Sequence, residues 1–248
     1  MKSNQTSVAA LTCTALIGAA VLSQAAILVS EDFSYGDGGL NGQNGGTGFS
    51  NAWTSTTNVT GGVVTGNDPS FRTLSATFGS TGTIWISFDW GNSSAPAQDA
   101  SYGGLTLYIG GSEKFLIGNT WPSPASHQVW SMNGTGVSSE PNYSGMKTAV
   151  AKITLGAGAT SMVELWVAAT GSPVDVSGAP LLTSTGRELA GVDGIRINGS
   201  DFGGGGNQQS FDNLLIGTSM LDVDAIPEPG AALLGGLGTL ALLRRRRA

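Results

Sequence analysis

Between Ala26 and Ile226 apolar and polar side chains alternate, most clearly along Thr83-Ile84-Trp85-Ile86-Ser87-Phe88-Asp89-Trp90. A period of two places Ile84, Ile86, Phe88 and Trp90 on one face of a strand. Leu105, Leu107 and Ile109 alternate in the same way with Thr106 and Tyr108. Nine further segments read as strands: Ile27–Phe33, Val59–Thr65, Arg72–Thr77, Lys114–Gly118, His127–Met132, Thr148–Leu155, Ser161–Ala168, Gly191–Ile197 and Ser210–Gly217. Clusters of Gly, Asn, Asp and Ser between them turn the chain. Short strands without a convincing helical segment predict an all-β body, an antiparallel two-sheet sandwich or jelly roll. No internal repeat is visible, which argues against a propeller or solenoid.

The alternation stops at both ends. Lys2 precedes an apolar stretch from Val8 to Leu22, and Ser23-Gln24-Ala25 then supplies the small residues a signal peptidase reads. This order predicts a signal helix over 1–25 with cleavage after Ala25. At the other end Ile226-Pro227-Glu228-Pro229 makes a stiff extended segment, because proline fixes φ and restricts its predecessor. The apolar run Gly230–Leu243 and the cluster Arg244, Arg245, Arg246 and Arg247 follow. As a helix that run reaches about 21 Å against roughly 30 Å of hydrocarbon, so spanning requires thinning or snorkelling arginines. The arginines fix their end in the cytoplasm by the positive-inside rule. The predicted organisation is a signal peptide (1–25), a β-sandwich domain (26–222), a linker (223–229) and a transmembrane helix with an Arg-rich cytoplasmic end (230–248).

Charge changes the picture once the ends are set aside. Of 248 residues only 11% are charged, and residues 26–226 carry sixteen acidic side chains against six basic ones. So acidic a body repels phosphate backbones and anionic lipid heads, which excludes nucleic acid as a partner. Cys13 is the sole cysteine and lies in the signal segment. The mature chain therefore has no disulfide, thiol nucleophile or thiolate metal ligand.

Pro227-Glu228-Pro229, the apolar run and the terminal arginines together resemble the PEP-CTERM sorting tail of Gram-negative, polysaccharide-producing bacteria. The resemblance implies transient anchoring in the inner membrane and recognition of the Pro-Glu-Pro segment by an exosortase-type transpeptidase. Delivery to the envelope or extracellular matrix follows. A second resemblance lies in the body. Glu31-Asp32-Phe33-Ser34-Tyr35, the Leu40–Phe49 segment with Trp53, Gly104–Tyr108, Phe115–Gly118 and Phe211–Gly217 look like parts of exported PEP-CTERM proteins. Those proteins are similar to concanavalin A-like or laminin-G-like jelly rolls, and their shared residues speak of turns and core more than of chemistry.

Candidate chemistry is sparse. His127 is the only histidine, which removes multi-histidine metal sites and makes a strand-structural role the expected one. The Glu-x-Asp-x-x-Glu strand motif of laminarinase-type glycosidases is absent. Glu113, Glu140, Glu164 and Glu188 are isolated, and only the fold can bring two of them together as an acid and nucleophile. No cofactor is expected, with calcium as the exception that two oxygen-rich groups leave open: Asp37, Asn41 and Asn44, and Asp193, Asp201 and Asp212. Neither has EF-hand spacing, and turn formation beside glycine is the simpler role. Gly203 to Gly206 lacks the helix and Lys-Ser/Thr pair of a phosphate loop. Trp53, Trp85, Trp121, Trp130 and Trp166 should mostly be core, with one or two left to stack on sugars.

These readings combine into an exported, envelope- or matrix-directed protein without catalytic activity, glycan-binding or structural within extracellular polysaccharide. Its expected partners are a signal peptidase, the transpeptidase, the inner membrane before processing, and polysaccharide. The alternative is a divergent polysaccharide hydrolase or lyase on the same fold. Ice binding is a third reading, but Thr54–Thr60 lacks a repeated flat threonine array.

Overall fold

The computed structural model describes residues 26–66, 68–92, 102–120, 130–133, 145–199 and 209–223. In chain order the strands are β1 (Ile27–Glu31), β2 (Gly38–Gly39), β3 (Asn58–Thr60), β4 (Val63–Gly66), β5 (Ser70–Thr73), β6 (Gly82–Asn92) and β7 (Gly103–Ile109). They continue as β8 (Ser112–Asn119), β9 (Ser131–Met132), β10 (Lys147–Leu155), β11 (Ser161–Ala169), β12 (Leu182–Arg187), β13 (Gly194–Ile197) and β14 (Gln209–Gly217). A 3₁₀ turn, Met220–Asp222, follows with Ser219 as its cap.

Two antiparallel sheets result, as the alternation predicts. The larger runs β12-β11-β10-β6-β14-β4-β3-β2, with β1 also paired to β14, and the smaller runs β5-β13-β7-β8-β9. The inward faces meet in one core. Ile86, Phe88, Ile153, Leu165 and Phe211 of the larger sheet pack with Leu105, Leu107, Phe115, Ile117 and Ile195 of the smaller one. Each such side chain contributes about 1.5–3 kcal/mol on leaving water. Phe88 and Phe211 stack at 5.3 Å between ring centres, nearly parallel, at the middle of this layer.

Every predicted strand segment contains strand, but several boundaries move, three of them for a clear physical or structural reason. Val59–Thr65 is not one strand: Gly61 and Gly62, at φ 59° and 81°, turn the chain between β3 and β4 as a tight hairpin requires. Arg72–Thr77 shifts to Ser70–Thr73, because Leu74 and Phe78 give their N–H groups to the carbonyls of Asp193 and Val192 instead of to a ladder. Of His127–Met132 only Ser131–Met132 is strand among the described residues; His127 lies outside them. The edge strand β12, Leu-Thr-Ser-Thr-Gly-Arg, has almost no apolar period and is seen only through its pairing with β11. Among the described residues no helix is long and apolar enough to cross a membrane. The signal segment with Ala25, and the tail with Pro227, Glu228, Pro229 and Arg244 to Arg247, lie outside the described residues.

Candidate functional site

The Glu31–Tyr35 opening of the body turns out to belong to an internal brace. Glu31 of β1 and Arg72 of β5 form a buried ion pair at 2.6 Å. The same carboxylate oxygen accepts from Tyr35 Oη (2.8 Å) and Trp53 Nε1 (3.1 Å). Arg72 Nη2 donates to Asn44 Oδ1, its Nε donates to the Asn51 carbonyl, and its guanidinium lies 4.0 Å over the Phe49 ring. Burial and the adjacent Glu31 carboxylate push the Tyr35 phenol up to about 12. The Glu-Asp-Phe-Ser-Tyr opening and the Asn/Gly-rich segment after it therefore fold around one arginine, tying the first strand to the smaller sheet.

The groove lies on the other side of that arginine, over the outer face of β5, β13 and β7. Strand parity sets it out: Thr73 and Tyr108 both face Gly194 across the ladder, and Phe71 and Thr106 both face Arg196. The Phe71 and Tyr108 rings meet edge to face at 5.7 Å, and Phe71 is 37% exposed. Gly194 leaves the floor between them empty. Asn51 and Thr54 form the rim, held by Thr54–Phe71 backbone bonds and by Asn51 Oδ1 accepting from Thr73 N. Asp193 closes one end by accepting from Gly110 N, which pins the β7–β8 turn. The groove has a volume of about 370 Å³.

Beside the groove, Arg196 gathers the polar groups of this face. Its Nη2 donates to Tyr102 Oη (2.7 Å) and Thr106 Oγ1 (2.8 Å), its Nη1 donates to Tyr108 Oη (3.0 Å), and it pairs with Glu113 at 2.9 Å. Tyr102 in turn donates to the Glu113 carboxylate. Burial first, and then the Glu113 hydrogen bond, push the Tyr102 phenol up to about 12. Burial raises Tyr108 as well. Arg196 sits in the predicted Gly191–Ile197 strand, but period two says only that it faces outward. The tyrosines that meet it come from β7 and the residue just before it, so the sequence carried no signal for the cluster.

Among the described residues the isolated glutamates are each held in an ion pair. Glu113 is held by Arg196, Glu164 by Lys152 at 2.9 Å and Glu188 by Lys114 at 2.9 Å, while Glu140 lies outside the described residues. Glu113 belongs to the smaller sheet and Glu164 to the larger. The side chains of the first oxygen-rich group are taken up by contacts between distant segments. Asp37 accepts from Gly61 N, Asn41 from Ser55 N and Asn44 from Arg72. Asp193 directly precedes β13 of the smaller sheet and Asp212 lies on β14 of the larger, while Asp201 and Gly203 to Gly206 are outside the described residues. Among the described residues no group of three or more His, Cys, Asp or Glu gathers to hold a metal. Trp53 and Trp130 are core; Trp166 stacks with Trp85 on the outer face of the larger sheet and donates to the Gly178 carbonyl. Trp121 lies outside the described residues.

The protein is thus an antiparallel β-sandwich with an aromatic-walled surface groove. Neither a protein-family model nor a curated protein matches the chain. Solved structures with a related strand arrangement include an endo-β-1,4-glucuronan lyase from the fungus Trichoderma reesei, at TM-score 0.41 and 15% identity, over 79% of this chain and 97% of that one. Lectin I-B4 from Griffonia simplicifolia gives 0.42 and 12%, over 66% and 91%. A marine alginate lyase from Aplysia kurodai gives 0.38 and 10%, over 63% and 82%. Lyases and a lectin stand side by side at these low scores, and none of them assigns chemistry to this chain.

Proposed function

We propose that the body binds glycan without cutting it, and that the protein is exported to the cell envelope or extracellular matrix. The open groove over β5, β13 and β7 carries this reading. Half-exposed Phe71 and Tyr108 rings suit the C–H faces of a sugar, and Asn51, Thr54 and Thr73 suit its hydroxyls. The side-chain cations beside it, Arg72 and Arg196, are already paired with Glu31 and Glu113, so the groove suits neutral more than acidic chains. The lyase alternative needs a base that loses its proton near working pH. Tyr102, at about 12, keeps its proton and hands it to Glu113 as a hydrogen bond, which favours binding. Export rests on the signal-like start and the PEP-CTERM-like tail, with a signal peptidase and an exosortase-type transpeptidase as partners.

The test is a polysaccharide panel, neutral and uronate-containing, presented to the purified full chain while both retention and chain cleavage are followed. At least one glycan is retained without new reducing ends or unsaturated uronate. Retention falls about tenfold in Phe71→Ala and in Gly194→Leu, the loss of one good stacking contact. A Cβ on Gly194 has only ordinary contacts, 3.5 Å to the Arg72 carbonyl and 3.6 Å to Tyr108, so a side chain there fills the groove without straining the sheet. Steady product formation abolished by Tyr102→Phe would establish the lyase instead.

A further inference from the structure

We infer that a second saccharide site lies on the outer face of the larger sheet, centred on the Asp89 carboxylate. It takes one sugar residue that presents adjacent hydrogen-bond donors, and it refuses uronates. The inference rests on the glycan-binding reading for its ligand class, but on different residues. The β6–β10 register sets Thr148 opposite Asp89 and Val150 opposite Ser87. In β14 the register slips between Asp212 and Leu215, and Asn213, at φ 52°, turns its amide onto the same spot; Asn is among the few residues that tolerate that conformation.

Thr148 Oγ1 donates to Asp89 Oδ1 at 2.6 Å, and Asn213 Nδ2 donates to Asp89 Oδ2 at 2.8 Å. Asp89 is only 5% exposed, yet among the described residues none of the ion pairs includes it. A buried carboxylate answered by neutral donors alone is a costly arrangement for a fold that gains nothing else from it. Two carboxylate oxygens accept about four hydrogen bonds, and two are made here. The remaining capacity borders a partly enclosed cavity of about 250 Å³.

The size and walls of that cavity select its occupant. It falls just below the ~300–1,000 Å³ of sites for larger ligands, which suits a single ring. Val150, Met220 and Val223 line it as apolar surface for the C–H edges of a pyranose, and Ser87 adds a hydroxyl. Adjacent donors, either two hydroxyls or a hydroxyl beside an ammonium, match the two open carboxylate positions. A uronate would bring a like charge against Asp89 and against Asp212, its partner across the β6–β14 ladder. A metal ion is a poorer fit, since calcium takes six to eight oxygens and, among the described residues, Asp89 is the one carboxylate lining the cavity.

The purified full chain is titrated by saturation-transfer NMR with methyl glucoside, glucosamine and methyl glucuronide, in a Gly194→Leu background that fills the groove and in that background with Asp89→Asn or Ser172→Trp added. Asp89→Asn keeps its neighbours satisfied, its carbonyl accepting from Asn213 and its amide donating to Thr148. Ser172→Trp plugs the cavity from its exposed rim. The expected result is binding of glucoside or glucosamine in the groove-filled background, weakened at least tenfold when Asp89→Asn or Ser172→Trp is added, with no uptake of glucuronide. Comparing the glucoside and glucosamine arms shows whether hydroxyls or the ammonium are read. Equal binding in all variants, equal uptake of glucuronide, or no binding of any of the three sugars overturns the site. Polysaccharide retention that depends on Asp89 but not on Gly194 would overturn the groove and leave this site standing.

Discussion

At the residue scale the Glu31–Arg72 pair is the point where the molecule is easiest to break. Removing the guanidinium leaves a buried carboxylate with Tyr35 and Trp53 as its only side-chain donors among the described residues. Arg72→Met should therefore cost about 3–5 kcal/mol in urea unfolding. The Glu31→Gln/Arg72→Met double variant should lose less than the sum of its singles, since the second change no longer strands a charge. Asp212 carries the opposite lesson. Burial, with the Asp89 charge adding to it, pushes its carboxyl up to about 6 from 3.8. A folded value above the unfolded one means that the fold prefers the protonated form. That contribution is complete at acid pH and is lost as pH rises through about 6. Asp212→Asn should leave the melting temperature nearly unchanged near pH 4 and raise stability near pH 8, by about 1 kcal/mol once the half-exposed setting is discounted. Equal shifts at both values would remove the titration argument.

At the scale of single elements, the β7–β8 ladder depends on two glycines that face each other. Gly104 and Gly118 are cross-strand partners at φ 131° and 149°. A Cβ on Gly118 would collide with the Gly103 carbonyl, and one on Gly104 with the Ile117 carbonyl. Gly118→Ala should cost about 2–3 kcal/mol, while Gly39→Ala, with open space around it, should stay within about 0.5 kcal/mol. Parallel urea titrations decide between them, and similar costs would show that the two strands relax apart. This ladder also orders the site, because Tyr108 and Glu113 are partners across the β7–β8 register shift.

At the scale of the whole molecule the body and its two ends answer different questions. The tail reading requires that the precursor stay with the inner membrane until it is processed. In fractionated cells the full chain should resist a carbonate wash, and a version ending at Ile226 should be released. The exported protein should begin at Ala26 by N-terminal sequencing. Equal release of both versions would end the anchor reading and leave the glycan proposals untouched.

Period two was enough to place Ile84, Ile86, Phe88 and Trp90 on the core face, because alternation is a local property that each strand carries alone. The two-sheet class was legible for the same reason, and aromatic preference said that most tryptophans are core without saying which. The grooves and charge clusters were not legible. Glu31 meets Arg72 across 41 residues, Arg196 meets Tyr102 across 94 and Asn213 meets Asp89 across 124. Those meetings follow from strand order, from the slip of β14 by the Asn213 turn, and from which faces of the ladder coincide. The sequence alone determined which side of each strand is wet; only the tertiary structure decided which wet sides stand together and what they enclose.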